Sequence, residues 1–435
     1  MLSHDNLCWE GESFEESMKA NQSRGVPFAE NRIVSYLPLS HIAGLTIDVV
    51  AQFYTGSELY FAMPDALQGT IVQTLQWARP TIFFGVPRVW EKFEDKLKEL
   101  AATKPQIMQN ISGWAKGHGA EKVRLQVKGQ EPGFMYGIAN TLILSKIKHA
   151  LGLDKCHIFF FGAAPMKQAS IDYFSSLDIP LFNGYGMSET SGGTTMHTIF
   201  NFRLDTAGWK TPGTDLIIDK PDQFGEGEIC MRGRNIMMGY LKNDKATLDT
   251  IDKHGFLHSG DRGKIEKDGH LKITGRIKEI IIGAGGENIA PVPIEDNFKV
   301  ICNPCSNIMI VGEMQRFMAA IITLKVDVDL KTGQPSNNLT PECQAFLKKE
   351  LGVTLKTSDE ACKDPKVIEF INKCIAETNK KSVSRAAHIR KFKVVPVDFS
   401  IPGGELTPTL KLKRKATEKK YQSYVDEMFA PEAKL

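Results

Sequence analysis

The sequence has no uninterrupted apolar run near the roughly 18 residues a membrane-spanning helix needs, and its mean hydropathy is −0.21. Charge of one sign is not in excess. The 54 Lys and Arg against 51 Asp and Glu leave a net charge of +3. The whole-molecule field is therefore weak, and nucleic-acid binding is not suggested. Residues 1–20 carry four Glu and no apolar block, unlike a secretory signal. The eight cysteines are scattered, which points to a reducing compartment and free thiols. Cys302 and Cys305 have CxxC spacing, but no second CxxC or suitably spaced His joins them, so they read as two incidental thiols. There is no internal repeat and no long low-complexity tract.

What is present is a globular composition: 435 residues, 42% apolar and 24% charged. At about 150 residues per domain this suggests two to four domains. His157 to Phe161 reads as a buried strand, Gly162-Ala163-Ala164-Pro165 as a turn, Met166 to Leu177 as a helix and Ile179 to Phe182 as a second strand. Strand, turn, helix, strand is the unit of a parallel sheet. Lys267-Asp268-Gly269 between short strands signals a hairpin, so antiparallel structure follows. A smaller region begins near 275–279, with strands expected near 280–282, 308–311, 319–324 and 392–397, a helix over 367–378, and an exposed loop over 330–341. At the start, Asp5 or Asn6 is the expected N-cap of the first helix. The chain opens on that helix with no strand before it.

Several segments carry chemistry. Gly184 to Thr190 follows the second strand of the parallel unit, where open α/β sheets bind ligands, and offers glycines, an aromatic face, hydroxyls and a carboxylate. Taken alone, it is a structural turn before it is a nucleotide site. Asp261, in His258-Ser259-Gly260-Asp261, suits a ribose diol; a turn cap is the alternative. Arg276 lies fifteen residues later across a hairpin. Gly283 to Asn288 is glycine-rich but lacks the context of a dinucleotide fingerprint. From 411 to 420 six residues are basic and one is acidic, which reads as a solvated anion-attracting surface or as a mobile loop bringing Lys411 to a reacting group.

Together, and in this order, these segments resemble the acyl-adenylate-forming superfamily, most closely the long-chain fatty acid–CoA ligases of the bubblegum type. The resemblance runs over nearly the whole chain. It is most specific at Tyr36 to Gly44, Tyr185 to Thr190 and Asp252 to Pro293. It implies an α/β fold: a large mixed N-terminal domain over 1–275 with an antiparallel part, and a smaller mobile α+β domain over 276–435 after a hinge at Lys278. It implies ATP, Mg²⁺ and coenzyme A as cofactors and a long-chain fatty acid as substrate, activated as acyl-AMP and passed to the thiol. Tyr185, Gly186, Met187, Ser188, Glu189 and Thr190 would hold adenine and the α-phosphate, with Glu189 also a Mg²⁺ ligand. Gly162, Ala163 and Ala164 would form the other adenine-side loop, while Asp261 and Arg276 would serve the ribose. Lys411 would bridge carboxylate and phosphate, and Gly286, Glu287 and Asn288 would lie on the coenzyme A side. The segments 42–61 and 81–90 resemble the acyl tunnel.

There are departures. Ser188 stands where most of the superfamily has Thr, and His258-Ser259-Gly260-Asp261 replaces the more usual Thr-Gly-Asp form. Met1-Leu2-Ser3-His4 corresponds to positions just after the family's phosphate loop, so the resemblance implies an N-terminally truncated member. The alternatives are a fragment that binds nucleotide or acyl chain without turnover, and adenylation of another carboxylate. Ala433-Lys434-Leu435 is close to a peroxisomal address; otherwise a cytoplasmic protein with at most peripheral membrane contact is expected.

Overall fold

The computed structural model describes residues 1–22, 31–66, 69–199, 201–329, 332–382, 384–407 and 411–430. The chain forms two compact units, Met1–Thr274 and Gly275–Leu435.

The first unit opens with α1 (His4–Gln22). Its cap is Ser3, not Asp5 or Asn6. Ser3 Oγ accepts from the Asn6 N–H at 3.0 Å and Asn6 Oδ1 accepts from the Ser3 N–H at 2.7 Å, so the two side chains satisfy each other's backbone. The strands β1 (Arg32–Ser35) and β2 (Glu58–Phe61) form a parallel pair. A five-stranded sheet holds β3 (Ile82–Gly85), β4 (Ile158–Gly162), β5 (Leu181–Met187), β6 (Gly192–Met196) and β7 (Trp209–Lys210), in that order. The first three run parallel and the last two antiparallel. Strand β4 is buried along its whole length, as its aromatic run requires, because helices cover a parallel sheet on both faces. The helix α2 (Gln106–Val127) and the helix α3 (Gln168–Ser176) lie outside the sheet, and Trp90, Phe83, Phe174 and Leu177 are fully buried between helices and strands.

The second expected strand is longer and later than the sequence suggested. It takes in Tyr185, Gly186 and Met187, because these residues pair antiparallel with β6, with Tyr185 opposite Thr195. A Cβ on Gly186 would fall 1.8 Å from the Gly192 carbonyl oxygen, so only glycine fits this close approach.

A four-stranded antiparallel sheet follows: β8 (Asp215–Asp219), β9 (Gly227–Arg232), β10 (Leu257–Ile265) and β11 (Leu271–Arg276). The Asp-Gly turn joins β10 to β11, with the Glu266 N–H donating to His270 O and Gly269 at φ 85°. Its buried face, Ile229, Met231, Leu257 and Leu271, packs against Tyr185.

The second unit has two short strands, β12 (Ile281–Ile282) and β13 (Asn288–Ile289), then α4 (Pro291–Ile301). Its main sheet joins β14 (Cys305–Val311), β15 (Met318–Leu324) and, after β16 (Val326–Val328), β17 (Pro335–Leu339) and α5 (Pro365–Lys380), the strand β18 (Ile389–Val394). Every residue of β15 is buried. Its even positions 318, 320, 322 and 324 face α4 and α5, while Ala319 and Ile321 face the C-terminal helices, which is the two-residue alternation of a sheet covered on both sides. The loop expected over 330–341 contains β17, paired with β16. Its polar residues 335–338 concealed the pairing, since only Leu339 and its partner Val326 carry the strand pair into the core. Positions 330 and 331 lie outside the described residues. Cys302 and Cys305 are buried in the core beside α4, and Cys374 on α5 hydrogen-bonds the Cys302 thiol and, with burial, pushes its pKa up.

Candidate functional site

In the first unit, the carboxyl ends of β4 and β5 carry both proposed adenine-side segments. Gly162 pairs with Gly184 across the two strands, and Ala163 adopts φ 65°, a left-handed conformation that L-residues with a Cβ occupy at a cost. After β5, Ser188–Thr190 form a single 3₁₀ turn. Thr190 is fully buried and ties the turn to itself: Met187 N–H donates to its Oγ1 at 3.0 Å, and that hydroxyl lies 2.9 Å from Gly192 O. Ser188 is exposed. Glu189 receives a 2.9 Å hydrogen bond from the Tyr240 hydroxyl on one carboxylate oxygen, while its backbone carbonyl accepts from Met237 N–H.

Asp261 on β10 is buried, and the Tyr185 hydroxyl donates to its Oδ2 at 2.8 Å. Two residues far apart in sequence, one from each sheet, are thus brought together. The turn that carries Asp261 is held from β9. Glu228 Oε1 accepts from the Gly260 N–H at 2.9 Å, and its Oε2 lies 2.9 Å from His258 Nδ1. Asp252 sits 3.7 Å from the other ring nitrogen. Hydrogen bonding to Glu228, with Asp252 adding to it, raises the His258 pKa. Cys230 lies 3.4 Å from His258 Nδ1, and burial together with the surrounding carboxylates pushes its thiol up to about 12. Gly260 needs its φ of 72° to make this turn.

The strand-turn unit is braced from behind by α1. Glu10 is buried and accepts the Gly193 N–H at 2.6 Å. Burial drives its pKa up to about 8. Thr46 donates to Ser191 O at 2.8 Å from the neighbouring helical segment. Of the segment expected to line an acyl tunnel, Ala51 is buried, whereas Phe53 and Phe61 are exposed.

The remaining expected site residues lie in the second unit. Arg276, at the end of β11, sits 3.7 Å from Glu279. Lys278 falls in the 3₁₀ turn Ile277–Glu279, and its side chain lies outside the described residues. Gly286 and Glu287 belong to the turn between β12 and β13, and Asn288 opens β13 opposite Ile282. That turn borders a cavity of about 310 Å³ whose lining includes Gly283, Gly285, Glu287, Arg316, Arg385 and Arg390. Lys411 closes a loop with Thr407: its N–H donates to Thr407 Oγ1 at 2.9 Å, and its carbonyl accepts from Thr407 N–H at 2.8 Å.

The basic stretch 411–420 is not simply a solvated surface. Arg414 is buried and makes a two-pronged ion pair with Glu295 at 2.8 and 2.9 Å, and Lys420 pairs with Glu405. The helix Arg414–Lys420 buries Thr417, and through these two pairs part of its charge is spent internally. Sequence reasoning missed Tyr240, Glu228 and Glu10. Each acts through a tertiary contact with a segment 32 to 183 positions away, and no local pattern marks it.

Among the described residues, no helix is long and apolar enough to cross a membrane. Residues 1–241 match the family described as AMP-binding enzyme. The chain is 44% identical over 432 residues to the chicken long-chain-fatty-acid–CoA ligase ACSBG2, covering 99% of this chain and 56% of that protein. It is 40% identical to the human long-chain-fatty-acid–CoA ligase ACSBG1, again over 99% of this chain and 59% of the other. It therefore spans somewhat over half the length of these curated relatives. Among solved structures, it resembles the A domain of a carboxylic acid reductase from Segniliparus rugosus in complex with AMP and a co-purified carboxylic acid, with a TM-score of 0.66 at 18% identity, covering 99% of this chain and 59% of that one. It also resembles ATP-bound MatB from Rhodopseudomonas palustris, with a TM-score of 0.62 at 17% identity, covering 98% and 65%. Its mixed α/β architecture is shared with both of these structures. With more than half of its residues matched by the family, the chain belongs to the AMP-binding enzymes.

Proposed function

We propose that this chain carries the acyl-adenylate and thioester chemistry of a long-chain fatty acid–CoA ligase. The observation that carries the reading is the Tyr185–Asp261 hydrogen bond, which sets a buried carboxylate beside the glycine-bearing turn at the carboxyl ends of parallel strands. Asp261 accepts the ribose hydroxyls. Gly162, Ala163, Ala164 and Tyr185 to Met187 border the adenine, the exposed Ser188 hydroxyl faces the α-phosphate, and the buried Thr190 holds the shape of the turn that presents it. The two curated relatives are named for the same activity and match this chain almost from end to end.

Glu189 suits Mg²⁺. It offers hard oxygen donors, one of them oriented by Tyr240, next to the place where phosphate charge gathers. The ion supplies charge neutralisation on the phosphates. Lys411 adds a compact positive charge between carboxylate and phosphate on the loop that Thr407 closes. Lys278 is the hinge about which the second unit turns between the two steps. Gly286, Glu287 and Asn288 then border the thiol, and the guanidinium groups of Arg316, Arg385 and Arg390 favour the phosphates of coenzyme A. A terminal Ala433-Lys434-Leu435 address, outside the described residues, would send a cytoplasmically made chain to the peroxisome; a reporter carrying it that stays diffuse refutes this.

The test is calorimetric binding of a hydrolysis-resistant palmitoyl-adenylate analogue, with AMP and an acetyl-adenylate analogue beside it. The proposal expects the palmitoyl compound to bind tightest, since each buried methylene adds roughly 0.8 kcal/mol. Equal affinity for acetyl and palmitoyl forms assigns the site to another carboxylate. No binding of any adenylate refutes the reading.

A further inference from the structure

The helix α2 is followed by a second continuous helical run made of Phe134–Ala139, the π-turn Asn140–Leu144 and Ser145–Leu151. The two helical segments pack together around Ala115, Ala139 and Leu144, all fully buried. Their inner faces are therefore satisfied. The outer face is not what a water-exposed helix requires. Phe134 is 81% exposed, Ile138 43% and Leu142 46%, at four-residue spacing along one row, and Val127 at the end of α2 is 42% exposed.

Most of the charge around this row is spent in pairs: Arg124 lies 3.9 Å from Glu121, and Glu131 is exposed between α2 and Phe134. Asp178 takes up Lys122 and Lys148, each at 2.7 Å. Lys128 and Lys146 are exposed and have no acidic partner among the described residues. Lys128 stands in the connection just before Phe134, and Lys146 continues the row after Leu142. Apolar side chains on one face with basic groups at both ends suit the headgroup–acyl boundary of an anionic bilayer.

We propose that this helical hairpin is a docking face for an anionic phospholipid surface, with Phe134, Ile138 and Leu142 entering the boundary and Lys128 and Lys146 meeting headgroup phosphates. The docking does not depend on the ligase reading, but it deepens it: a long-chain carboxylic acid partitions into bilayers, and docking places the chain where that substrate is concentrated. The experiment is flotation of the 435-residue chain with phosphatidylcholine vesicles, with and without phosphatidylserine. Binding is expected with phosphatidylserine and is weakened by salt. The double variant Phe134→Glu, Ile138→Glu abolishes it. Lys128→Gln and Lys146→Gln each weaken it by on the order of fivefold. All four positions are exposed, so thermal unfolding and binding of the palmitoyl-adenylate analogue stay as in the unmodified chain, which separates failure here from failure of the ligase reading. No binding to phosphatidylserine vesicles, or undiminished binding by the double variant, overturns the proposal. So does a dimer in light scattering that Phe134→Glu dissolves, because the face then belongs to a second copy.

Discussion

Replacing Asp261 by Asn probes the nucleotide site with little change of shape. Asp261 is 6% exposed, and one of its oxygens already receives the Tyr185 hydroxyl at 2.8 Å. On the proposed reading, its carboxylate also accepts from the ribose when an adenylate is bound. A hydrogen bond to a charged group contributes about 1.5–3 kcal/mol, against about 1 for a neutral one. Asn keeps one acceptor oxygen for Tyr185 or for the ribose, but not the charge, and its amide donor meets a ribose hydroxyl that must then accept. Affinity for AMP and for an acyl-adenylate analogue should fall roughly ten- to hundredfold. Thermal stability should change little, because the Tyr185 hydroxyl keeps an acceptor. Isothermal titration calorimetry on both proteins, with circular dichroism melts as control, makes the comparison. An affinity within about twofold of the unmodified chain and an unchanged melt would refute the reasoning, since loss of a charged ribose acceptor cannot cost so little.

Two further substitutions test the surroundings of the site and the core of the second unit. Glu10 has its folded pKa raised from 4.5 to about 8, so its contribution to stability is fully present below about 4.5 and is lost as pH rises through 8. Glu10→Gln keeps an acceptor for Gly193 N–H and removes the titration. The melting temperature should then fall less between pH 5 and 8 than in the unmodified chain, the gap corresponding to at most on the order of 5 kcal/mol; parallel pH profiles contradict the assignment. Glu295→Gln leaves the Arg414 guanidinium buried without its carboxylate and weakens the acceptor of the Ile310 N–H. The second unit should lose about 3–5 kcal/mol in urea unfolding, whereas a loss below about 1 kcal/mol would mean that solvent screens the pair.

Legibility of the sequence depended on how locally each feature is determined. The aromatic run at 157–161, the Asp-Gly turn at 268–269 and the apolar stripe of 367–378 contain their own periodicity, and each became the expected strand, hairpin or helix. The end of β5 was misjudged because Tyr185-Gly186-Met187 looks like loop until β6 folds back onto it. Residues 335–339 gave no strand pattern because 335–338 are polar, leaving only Leu339, opposite Val326, to reach the core. At the candidate site, the order of motifs singled out Tyr185 to Thr190 and Asp261, and the structure adds the hydrogen bond from Tyr185 to Asp261. Glu228, Tyr240 and Glu10 were invisible, since a carboxylate or a phenol in a strand or helix acquires a role only through what folding sets opposite it. Arg414 illustrates the reverse: a basic run that reads as solvated surface hides a buried ion pair, because charge counts alone do not reveal which side chain faces inward.

The central claim is best tested on the thioester step. Synthetic palmitoyl-adenylate and coenzyme A are mixed with the 435-residue chain, and palmitoyl-CoA is followed by chromatography against the uncatalysed rate. The account predicts palmitoyl-CoA and AMP in equal amounts, at a rate that Asp261→Asn lowers. Release of free palmitate and AMP without thioester, or no acceleration over the solution reaction, would contradict it.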